Sequence, residues 1–460
     1  LILTTGCLAA VHKLDPPQQR ERKESGLEPK VRPANSGSVH LKTALGAVME
    51  DDCIQEAIES LKPTQMGNGV KGGPEIMHHI YRARYKGGKA IFNADAVNGF
   101  NELNREFMIK RAHRKAPAAG RFINSTYGCD ALVIFTWQDE LGRTVVSFFL
   151  SMEGSRMGCK FGSALFDMAV EPMYENLSNR HPTFLIRCLT DDAPVSGGPK
   201  DGETWQDFYE EIAEVITDFK ELGEPIGYVL NREKAFLLIP PEAEDPEPGT
   251  LPSWVKVTRE GLVVAGGAIG TDDFVRMHVG TIVDEVERRL GSMGALADVN
   301  PQFADRFISS AFNRMLSYII RITPAHLISA ELERCDKAIY DASKGVLSRS
   351  TAMEPECSEA RQRRSEDIHR LRKRAGGWGL TAAINIADAA FIGSISIAMT
   401  DSVFAAHAFQ LEDDLSLAHE RILSRVGGAT KLVKGTNLFY ALPLDPKALI
   451  DPSFYLDSFD

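Results

Sequence analysis

The sequence is poor in the features of disulfide-stabilised, zinc-binding and membrane-spanning proteins. Its 460 residues include only seven cysteines, which are widely scattered and form no Cys-x-x-Cys pair. A disulfide framework or a zinc ribbon is therefore not expected, and a reducing compartment is favoured. The least charged stretch, residues 389–400, is much shorter than the roughly 20 apolar residues of a membrane span. The opening residues also lack a basic segment, so no signal peptide and no membrane partner are predicted.

A uniformly basic surface is also missing. The net charge is −11, which argues against nucleic-acid binding over the whole surface. Positive charge is nevertheless concentrated locally, because residues 1–120 hold 18 Lys and Arg against 13 Asp and Glu. A second basic cluster lies within the acidic remainder and consists of Arg361, Arg363, Arg364, Arg370, Arg372, Lys373 and Arg374. Such clusters are commonly solvated helix faces, and local contact with nucleic acid is the alternative.

Hydrophobic spacing predicts an α+β region followed by an all-helical region. An irregular arm is predicted to about residue 26, and the Pro- and Glu-rich residues 240–252 are predicted to be a loop. Helices are predicted at 51–61, 74–85, 101–113, 161–177 and 205–222, and mostly helical structure at 272–347 and 359–425. Strands are predicted at 89–95, 183–190, 235–239 and 261–269, with a hairpin centred on 139–142.

Two of the predicted strands end in aspartate. Asp95 follows one apolar run, and Asp191 and Asp192 follow another. If the two strands lie side by side, the carboxylates meet at one sheet edge and can hold a pair of magnesium ions. Asp pairs also cap helices and turns, so the acids alone do not establish a metal site.

Seven segments in a fixed order extend over residues 29–397. They are PKVRPANSGSVHLKTALG from Pro29, NADAVNGFNELNR from Asn93, EGSRMGCKFGSALFDMAVEPM from Glu153, CLTDDAPV from Cys188, GYVLNREKAFLL from Gly227, VVAGGAIG from Val263 and AGGWGLTAA from Ala375. Their order and spacing resemble the motifs of reverse transcriptases from non-LTR (LINE-like) retroelements. The resemblance implies a right-hand polymerase with fingers, a helical thumb and a palm whose antiparallel sheet is flanked by helices. It places an N-terminal arm and fingers at 1–88, the palm at 89–270 with a fingers hairpin at 131–150, the thumb at 271–347 and a post-thumb helical region at 348–460.

The resemblance implies RNA-templated DNA synthesis by two-metal nucleotidyl transfer, within a retrotransposon polyprotein. Its partners would be an RNA template, a DNA primer and dNTPs, and its cofactors two Mg²⁺ ions, which Mn²⁺ can replace. Asp95 and Asp191 would bridge both metals, with Asp192 beside them. Lys234 matches the position proposed to protonate the leaving pyrophosphate, and a solvated lysine is the alternative.

Further residues match positions that contact the nucleotide. Phe100, five residues after Asp95, would exclude the 2′-hydroxyl of a ribonucleotide, and an ordinary core phenylalanine is the alternative. Lys30 and Arg32 would meet the triphosphate, since lysine supplies a point charge and arginine a bidentate fork. Met157 and Gly158 would line the nucleotide pocket.

Nucleic-acid contacts are implied beyond the palm. Gly266 and Gly267 match the primer-grip strand. Arg314 and Arg321 are seven residues apart, which predicts one face of one helix along the duplex minor groove. A salt-bridged bundle helix is the alternative. Arg372 and Arg374 would follow the template phosphates.

Three departures from the motifs lie at or beside this site. Met157 replaces a glutamine, Cys159-Lys160 replaces Asp-Pro, and Leu189-Thr190 replaces Tyr-Ala. None removes a metal ligand, and a working polymerase is the preferred hypothesis. A degenerate or domesticated inactive domain with an RNA-binding or structural role is the main alternative, and an RNA-dependent RNA polymerase is disfavoured by Phe100.

The sequence leaves the setting of the protein open. It begins with Leu1 rather than Met, which suggests a fragment of a longer protein. The polymerase of a retroelement would act in the cytoplasm and nucleus. The template and the oligomeric state are not indicated.

Overall fold

The computed structural model describes residues 6–12, 31–138, 141–156, 158–350, 368–370 and 378–425. The chain divides into two compact units. Unit 1 comprises Leu1–Gly73, Ile91–Leu237 and Ala243–Lys256, and unit 2 comprises Pro74–Ala90, Leu238–Glu242 and Val257–Asp460. The division into fingers, palm, thumb and post-thumb regions stays a prediction.

The described elements mix strands and helices. The strands are β1 Gly6–His12, β2 Val31–Gly37, β3 Ala90–Phe92, β4 Ala131–Gln138, β5 Thr144–Ser151, β6 Leu185–Ile186, β7 Val195–Gly197, β8 Phe236–Leu238, β9 Lys256–Thr258, β10 Gly261–Val264 and β11 Gly267–Gly270. The helices are α1 Val39–Met49, α2 Asp52–Glu59, α3 Gly73–Lys86, α4 Gly99–Glu102, α5 Arg105–Lys115, α6 Gly120–Tyr127, α7 Gly162–Arg180, α8 Trp205–Gly223, α9 Asp272–Leu290, α10 Met293–Val299, α11 Pro301–Ser310, α12 Ile319–Ile322, α13 Ser329–Ser350, α14 Ala383–Ala398, α15 Ser402–His407 and α16 Glu412–Arg425.

One sheet of unit 1 has the order β2-β1-β4-β5. The predicted hairpin is confirmed, because β4 and β5 pair antiparallel from Ala131 opposite Ser151 to Gln138 opposite Thr144. The predicted irregular arm is wrong at Gly6–His12, because β1 pairs antiparallel with β2 and parallel with β4, and the rest of the predicted arm lies outside the described residues. The apolar part of β1, Leu-Ala-Ala-Val, is only four residues long, and the sequence after it is polar and contains prolines. The strand is therefore difficult to recognise from the sequence.

The second sheet of unit 1 carries the acids. Its strands follow the order β6-β7-β3-β8, and Lys256 at the start of β9 lies at the edge beyond β8, where its N–H donates to Ala235 O over 3.0 Å. The predicted strand 183–190 is wrong in length, because β6 spans only Leu185–Ile186. Beyond it, Cys188 forms a parallel bridge with Gln65, and the chain then turns.

Two long helices belong to the same unit as this second sheet. α7 buries residues on all sides, including Phe166 and the acidic residues Asp167 and Glu171. α8 is amphipathic and begins with a capping box, in which Thr204 and Asp207 satisfy each other's backbone N–H groups. The predicted helices at 161–177 and 205–222 are confirmed.

Unit 2 is mainly helical. Along α9, Val275, Val279, Val283, Val286 and Leu290 recur at three- or four-residue spacing and are buried, as expected for the inner face of an amphipathic helix. The predicted single strand at 261–269 is wrong, because β10 and β11 form an antiparallel hairpin in which Val264 pairs with Gly267.

No single helix in the part of the chain that the structure describes is long and apolar enough to cross a membrane. Residues 383–398 and 402–425 pass that test only as a pair, with a bend of 114° between them.

Candidate active site

The acids Asp191 and Asp192 lie at a tight turn. Leu189 N donates to Asp192 O over 2.8 Å, and Asp192 N donates to Leu189 O over 3.1 Å. These two bonds close a two-residue hairpin whose central residues are Thr190 and Asp191. Thr190 has a φ of +58°, in agreement with the positive φ that such hairpin turns require. We call residues 189–192 the acid turn.

Asp95 lies beside the acid turn. Ala193 N donates to Ala94 O over 3.0 Å, which joins the segments that carry the acids. Burial raises the pKa of the Asp191 carboxyl above its usual value, and the negative charge of Asp95 raises it further. The chain therefore brings Asp95 and Asp191 into electrostatic contact across a separation of nearly a hundred residues.

Lys234 and Asn231 contact the same carboxylate. Lys234 Nζ lies 2.6 Å from Asp95 Oδ2, and Asn231 Nδ2 lies 3.3 Å from it. Asn231 N also donates to Asp95 O over 2.8 Å. This pairing fixes the short 3₁₀ turn Arg232–Lys234 beside the acid. Sequence reasoning assigned Lys234 to the site and missed Asn231.

The residues present fit a cation site in part. The negative charge of Asp95 disfavours the ionised form of Asp191, and a divalent cation would offset it. Asp95 and Asp191 are the residues that would hold such a cation. In this conformation, however, the ammonium of Lys234 supplies the positive charge at Asp95. Among the residues that the structure describes, no group of three or more His, Cys, Asp or Glu side chains could hold a metal ion. Asp192 therefore does not complete a three-carboxylate cluster.

Phe100 lies next to the acid turn. Its half-buried ring stacks on Phe166 of α7, with 4.8 Å between ring centroids and 23° between ring planes. The preceding Gly99 is close enough that an added Cβ would be 3.4 Å from Asp191 Cβ. The residue that precedes Phe100 thus borders Asp191, and the role of the Phe100 ring as a sugar gate stays a prediction.

The loop that carries the predicted nucleotide contacts is joined to the segment of Phe100. Ser155 N donates to Phe100 O over 2.6 Å, and Gly154 N donates to Leu103 O over 2.8 Å. Gly154 has a φ of +57°, and an added Cβ would lie 2.2 Å from Phe100 O. The contact therefore requires glycine. Gly158 follows in this loop with a φ of +93°.

Two buried arginines hold this loop, and sequence reasoning assigned neither. The Arg105 guanidinium donates to Gly154 O over 3.0 Å and to other backbone and side-chain oxygens of residues 151–153. Arg156 lies over the Tyr127 ring at 4.5 Å and donates to Thr126 O over 2.8 Å. Arg156 lies within the E-G-S-R motif, and that is the signal that could have found it.

The remaining predicted nucleotide and template contacts are only partly described. Lys30, Met157, Arg372 and Arg374 lie outside the described residues. Arg32 lies in β2, opposite Val11 of β1.

Gly266 and Gly267 lie at the β10–β11 turn in unit 2. Ala265 and Gly266 have φ values of +50° and +80°, as expected for a two-residue hairpin turn. A Cβ on Gly267 would lie 2.3 Å from Ile322 Cδ1 and 2.6 Å from His78 Cε1. Turn geometry and close packing thus account for both glycines, and primer contact stays a prediction.

The prediction that Arg314 and Arg321 share one helix is wrong. Arg314 ends the 3₁₀ turn Phe312–Arg314, and Arg321 belongs to the separate helix α12. The Arg321 guanidinium forms a bidentate pair with Glu75, with both N–O distances 2.7 Å. The helix is interrupted between the two arginines because the side chains of Leu316, Ile319 and Ile320 are buried in the core. Arg321 thus has the salt-bridged role considered as the alternative.

Comparison with known proteins gives distant structural likenesses. No family model and no curated protein matches the sequence. An apo telomerase from Candida tropicalis truncated from its C-terminal domain is similar, with 12% identity and a TM-score of 0.35 over 53% of this chain and 51% of that one. A telomerase from Candida albicans in complex with a TWJ fragment of telomeric RNA has 9% identity and a TM-score of 0.42, over 91% of this chain and 66% of that one. An apo telomerase from Candida tropicalis has 10% identity and a TM-score of 0.40, over 92% and 68%. The chain thus spans between about half and about two thirds of these telomerase chains, and likenesses this distant assign no residue or activity to it.

Proposed function

We propose that this chain is an RNA-directed DNA polymerase that uses the acid turn and Asp95 for nucleotidyl transfer. The observation that carries the proposal is the convergence of Asp95 and Asp191 from distant parts of the chain, with the segment of Gly99 and Phe100 next to Asp191. Two interacting carboxylates suit a site that places a deoxynucleotide against catalytic metals.

Each side chain has a chemical task in this proposal. A bound pair of divalent cations supplies the charge that activates a 3′-hydroxyl and stabilises the leaving pyrophosphate. Asp95 and Asp191 hold these cations, and Phe100 excludes a 2′-hydroxyl. Lys234 is within reach of the same carboxylate and donates a proton to the pyrophosphate. Gly158 and Met157 border the base and sugar.

The wider setting is part of the same proposal. The partners are an RNA template, a DNA primer and dNTPs, the cofactor is Mg²⁺ or Mn²⁺, and the protein belongs to a LINE-like retroelement and acts in the cytoplasm and nucleus. These assignments are supported by the seven sequence segments over residues 29–397.

Primer extension on an RNA template tests the activity. The protein is expected to extend a DNA primer with dNTPs and Mg²⁺ or Mn²⁺, and far less with NTPs. Asp95→Asn and Asp191→Asn should each abolish extension, whereas Asp201→Asn, at an exposed loop position, should not. An inert wild-type protein of native stability, or active Asp95→Asn and Asp191→Asn variants, would overturn the proposal.

The second candidate is an inactive domain with a structural or RNA-binding role. It is favoured by the contact of Lys234 with Asp95 and by the incomplete carboxylate cluster within the described part of the chain. Manganese titration separates the two. A polymerase should bind Mn²⁺ in a manner that requires Asp95 and Asp191, and an inactive domain that has replaced the metal by Lys234 should not.

A further inference from the structure

A segment remote in sequence lies against the acid turn. Met66 N donates to Cys188 O over 2.8 Å, and Cys188 N donates to Thr64 O over 2.7 Å. These bonds form the parallel bridge between Gln65 and Cys188. The segment 64–67 therefore runs like an added strand beside the chain that leads into the turn.

The side chain of Gln65 continues this pairing where the backbone bridge ends. Gln65 Oε1 accepts a hydrogen bond from Thr190 N over 3.0 Å, and Gln65 Nε2 donates to Thr190 O over 3.0 Å. The residue is only 2% exposed. Because one amide satisfies both backbone groups of a single residue, its orientation is fixed and it acts as the missing strand neighbour.

The residue held in this way is the one whose conformation is unfavourable. Thr190 is β-branched and has a φ of +58°, a combination that is a genuine outlier and persists only where the surroundings enforce it. Gly67 shows how closely the segment approaches, because an added Cβ would lie 2.9 Å from Thr190 Cγ2 and 3.2 Å from Thr190 N.

Thr190 in turn orients the neighbouring acid. Its hydroxyl lies 2.6 Å from Leu189 O and 3.1 Å from Asp191 Oδ1, so its single proton is shared between the two ends of this contact. On the other side of the turn, the Tyr228 hydroxyl donates to Asp191 O over 3.0 Å. The direction of the Asp191 carboxylate therefore depends on the conformation of Thr190.

We propose that Gln65 is a positioning residue, which holds Thr190 in its left-handed conformation and thereby directs Asp191 toward Asp95. The Gln65 side chain is buried, and the hydrogen bonds that it forms with the acid turn in the described part of the chain are those to the backbone of Thr190. The conformational part stands on these contacts, and its consequence for catalysis rests on the proposed function.

Hydrogen exchange tests the conformational part without any activity. In protein labelled with ¹⁵N-threonine, Gln65→Leu should speed exchange of the Thr190 amide by roughly two- to twelve-fold, as expected for one lost uncharged hydrogen bond. Gln65→Glu keeps an acceptor for this N–H and should protect it better than Gln65→Leu. Gln206→Leu is the control, because the Gln206 amide also donates one hydrogen bond, to the Thr250 hydroxyl, and accepts another, from Glu247 N. Unchanged Thr190 exchange in Gln65→Leu would overturn the inference.

Thr190→Gly supplies a coupled test. Glycine adopts positive φ without the steric cost of a β-branched side chain, so Gln65 should matter less once residue 190 is glycine. In active protein, Gln65→Leu should lower the maximal extension rate by about 10- to 100-fold, in line with a small misplacement of a catalytic group, with little change in the KM for dNTP. The loss should be several-fold smaller in the Thr190→Gly background.

The outcomes separate the two proposals. If the wild-type protein does not extend primers but Gln65→Leu still speeds exchange of the Thr190 amide, the proposed function fails. The conformational role of Gln65 at Thr190 then still holds. If the wild-type protein is active and Gln65→Leu lowers the rate equally with Thr190 and with Gly at position 190, Gln65 has only a general packing role and the inference fails. If Gln65→Leu does not fold, Gln65→Glu carries both measurements.

Discussion

Lys234 Nζ lies 2.6 Å from Asp95 Oδ2, so the acid predicted to bind metal is paired with the lysine predicted to donate a proton. The side chain of Lys234 is 58% exposed and that of Asp95 is 15% exposed. A lysine with this exposure can leave the carboxylate at little cost, because water screens the pair. The contact can therefore be exchanged for a divalent cation.

Lys234→Met should change metal binding and rate in opposite directions. Removing the ammonium frees Asp95 Oδ2, so Mn²⁺ affinity should rise a few-fold. Loss of the proton donor should lower the maximal extension rate by roughly 100-fold or more, as expected for general acid catalysis. Manganese titration and single-turnover extension measure the two effects. Lys220→Met, at an exposed helical position, is the control, and a variant with unchanged rate would remove Lys234 from the mechanism.

Phe100→Ala should admit ribonucleotides. Removing the ring opens space for a 2′-hydroxyl, and ribonucleotide incorporation relative to dNTP should rise by up to roughly 100-fold, the scale on which an apolar pocket distinguishes a hydroxyl. Competition between NTPs and dNTPs in primer extension measures the change. Phe122→Ala removes a half-buried ring that packs on Phe161 and is the control for lost packing. A folded and active Phe100→Ala variant with unaltered sugar selection would make Phe100 a core residue only.

Met157→Gln should strengthen dNTP binding. Glutamine restores an uncharged hydrogen bond worth about 0.5–1.5 kcal/mol, so the apparent affinity should rise about two- to twelve-fold with little change in maximal rate. Steady-state extension over a range of dNTP concentrations measures both values. If wild-type protein is inert and Met157→Gln combined with Lys160→Pro and Leu189→Tyr is also inert, the inactive-domain hypothesis should replace the polymerase.

Asp167→Asn should remove a pH dependence of stability. Asp167 is fully buried, its Oδ2 accepts from Asn68 Nδ2 over 2.5 Å, and Oδ1 has no hydrogen-bond partner among the residues that the structure describes. Burial raises the pKa of this carboxyl from 3.8 to about 8. The folded protein therefore keeps a proton that the unfolded chain releases, and this stabilisation is complete below pH 3.8 and is lost as pH rises through about 8.

The free energy of unfolding should fall by about 1.4 kcal/mol per pH unit from this group within that window. Asp167→Asn should flatten the decline, because asparagine is neutral at every pH and can still accept from Asn68. Denaturant unfolding at several pH values between 4 and 8 measures it, with the exposed Asp201→Asn as control. Equal slopes for wild type and Asp167→Asn would show that Asp167 is ionised in the folded protein.

Local pattern is enough to predict many elements, whereas the approach of Asp95 to Asp191 is expected mainly from the order of the seven segments and their resemblance to reverse transcriptases. The β4–β5 hairpin and helices α7 and α8 follow from alternation, turn residues and amphipathic spacing, which are properties of neighbouring residues. The β10–β11 hairpin was missed because Val263 to Ile269 was interpreted as one apolar run, although Ala265-Gly266 could have signalled a turn.

Gln65 could not be found from local pattern. Its partner is 125 residues away, and a glutamine between Thr64 and Met66 has no periodicity that would set it apart. The same holds for Arg321, whose pairing with Glu75 depends on how α3 and α12 pack within unit 2. Such contacts are decided by tertiary structure, so only the folded chain shows them.

Gly154 has a consequence for how this site can change over time. Its backbone is joined to Leu103, and its missing side chain leaves room for Phe100 O. The backbone of Phe100, which is proposed to select the sugar, is therefore in direct contact with the loop that is proposed to border the base. A substitution that shifts the backbone at Phe100 will also shift the loop at Gly154. Evolution therefore cannot readily weaken sugar selection through a backbone shift here without also disturbing the contacts with the base. Changes confined to side chains, as at Met157, are the route left open.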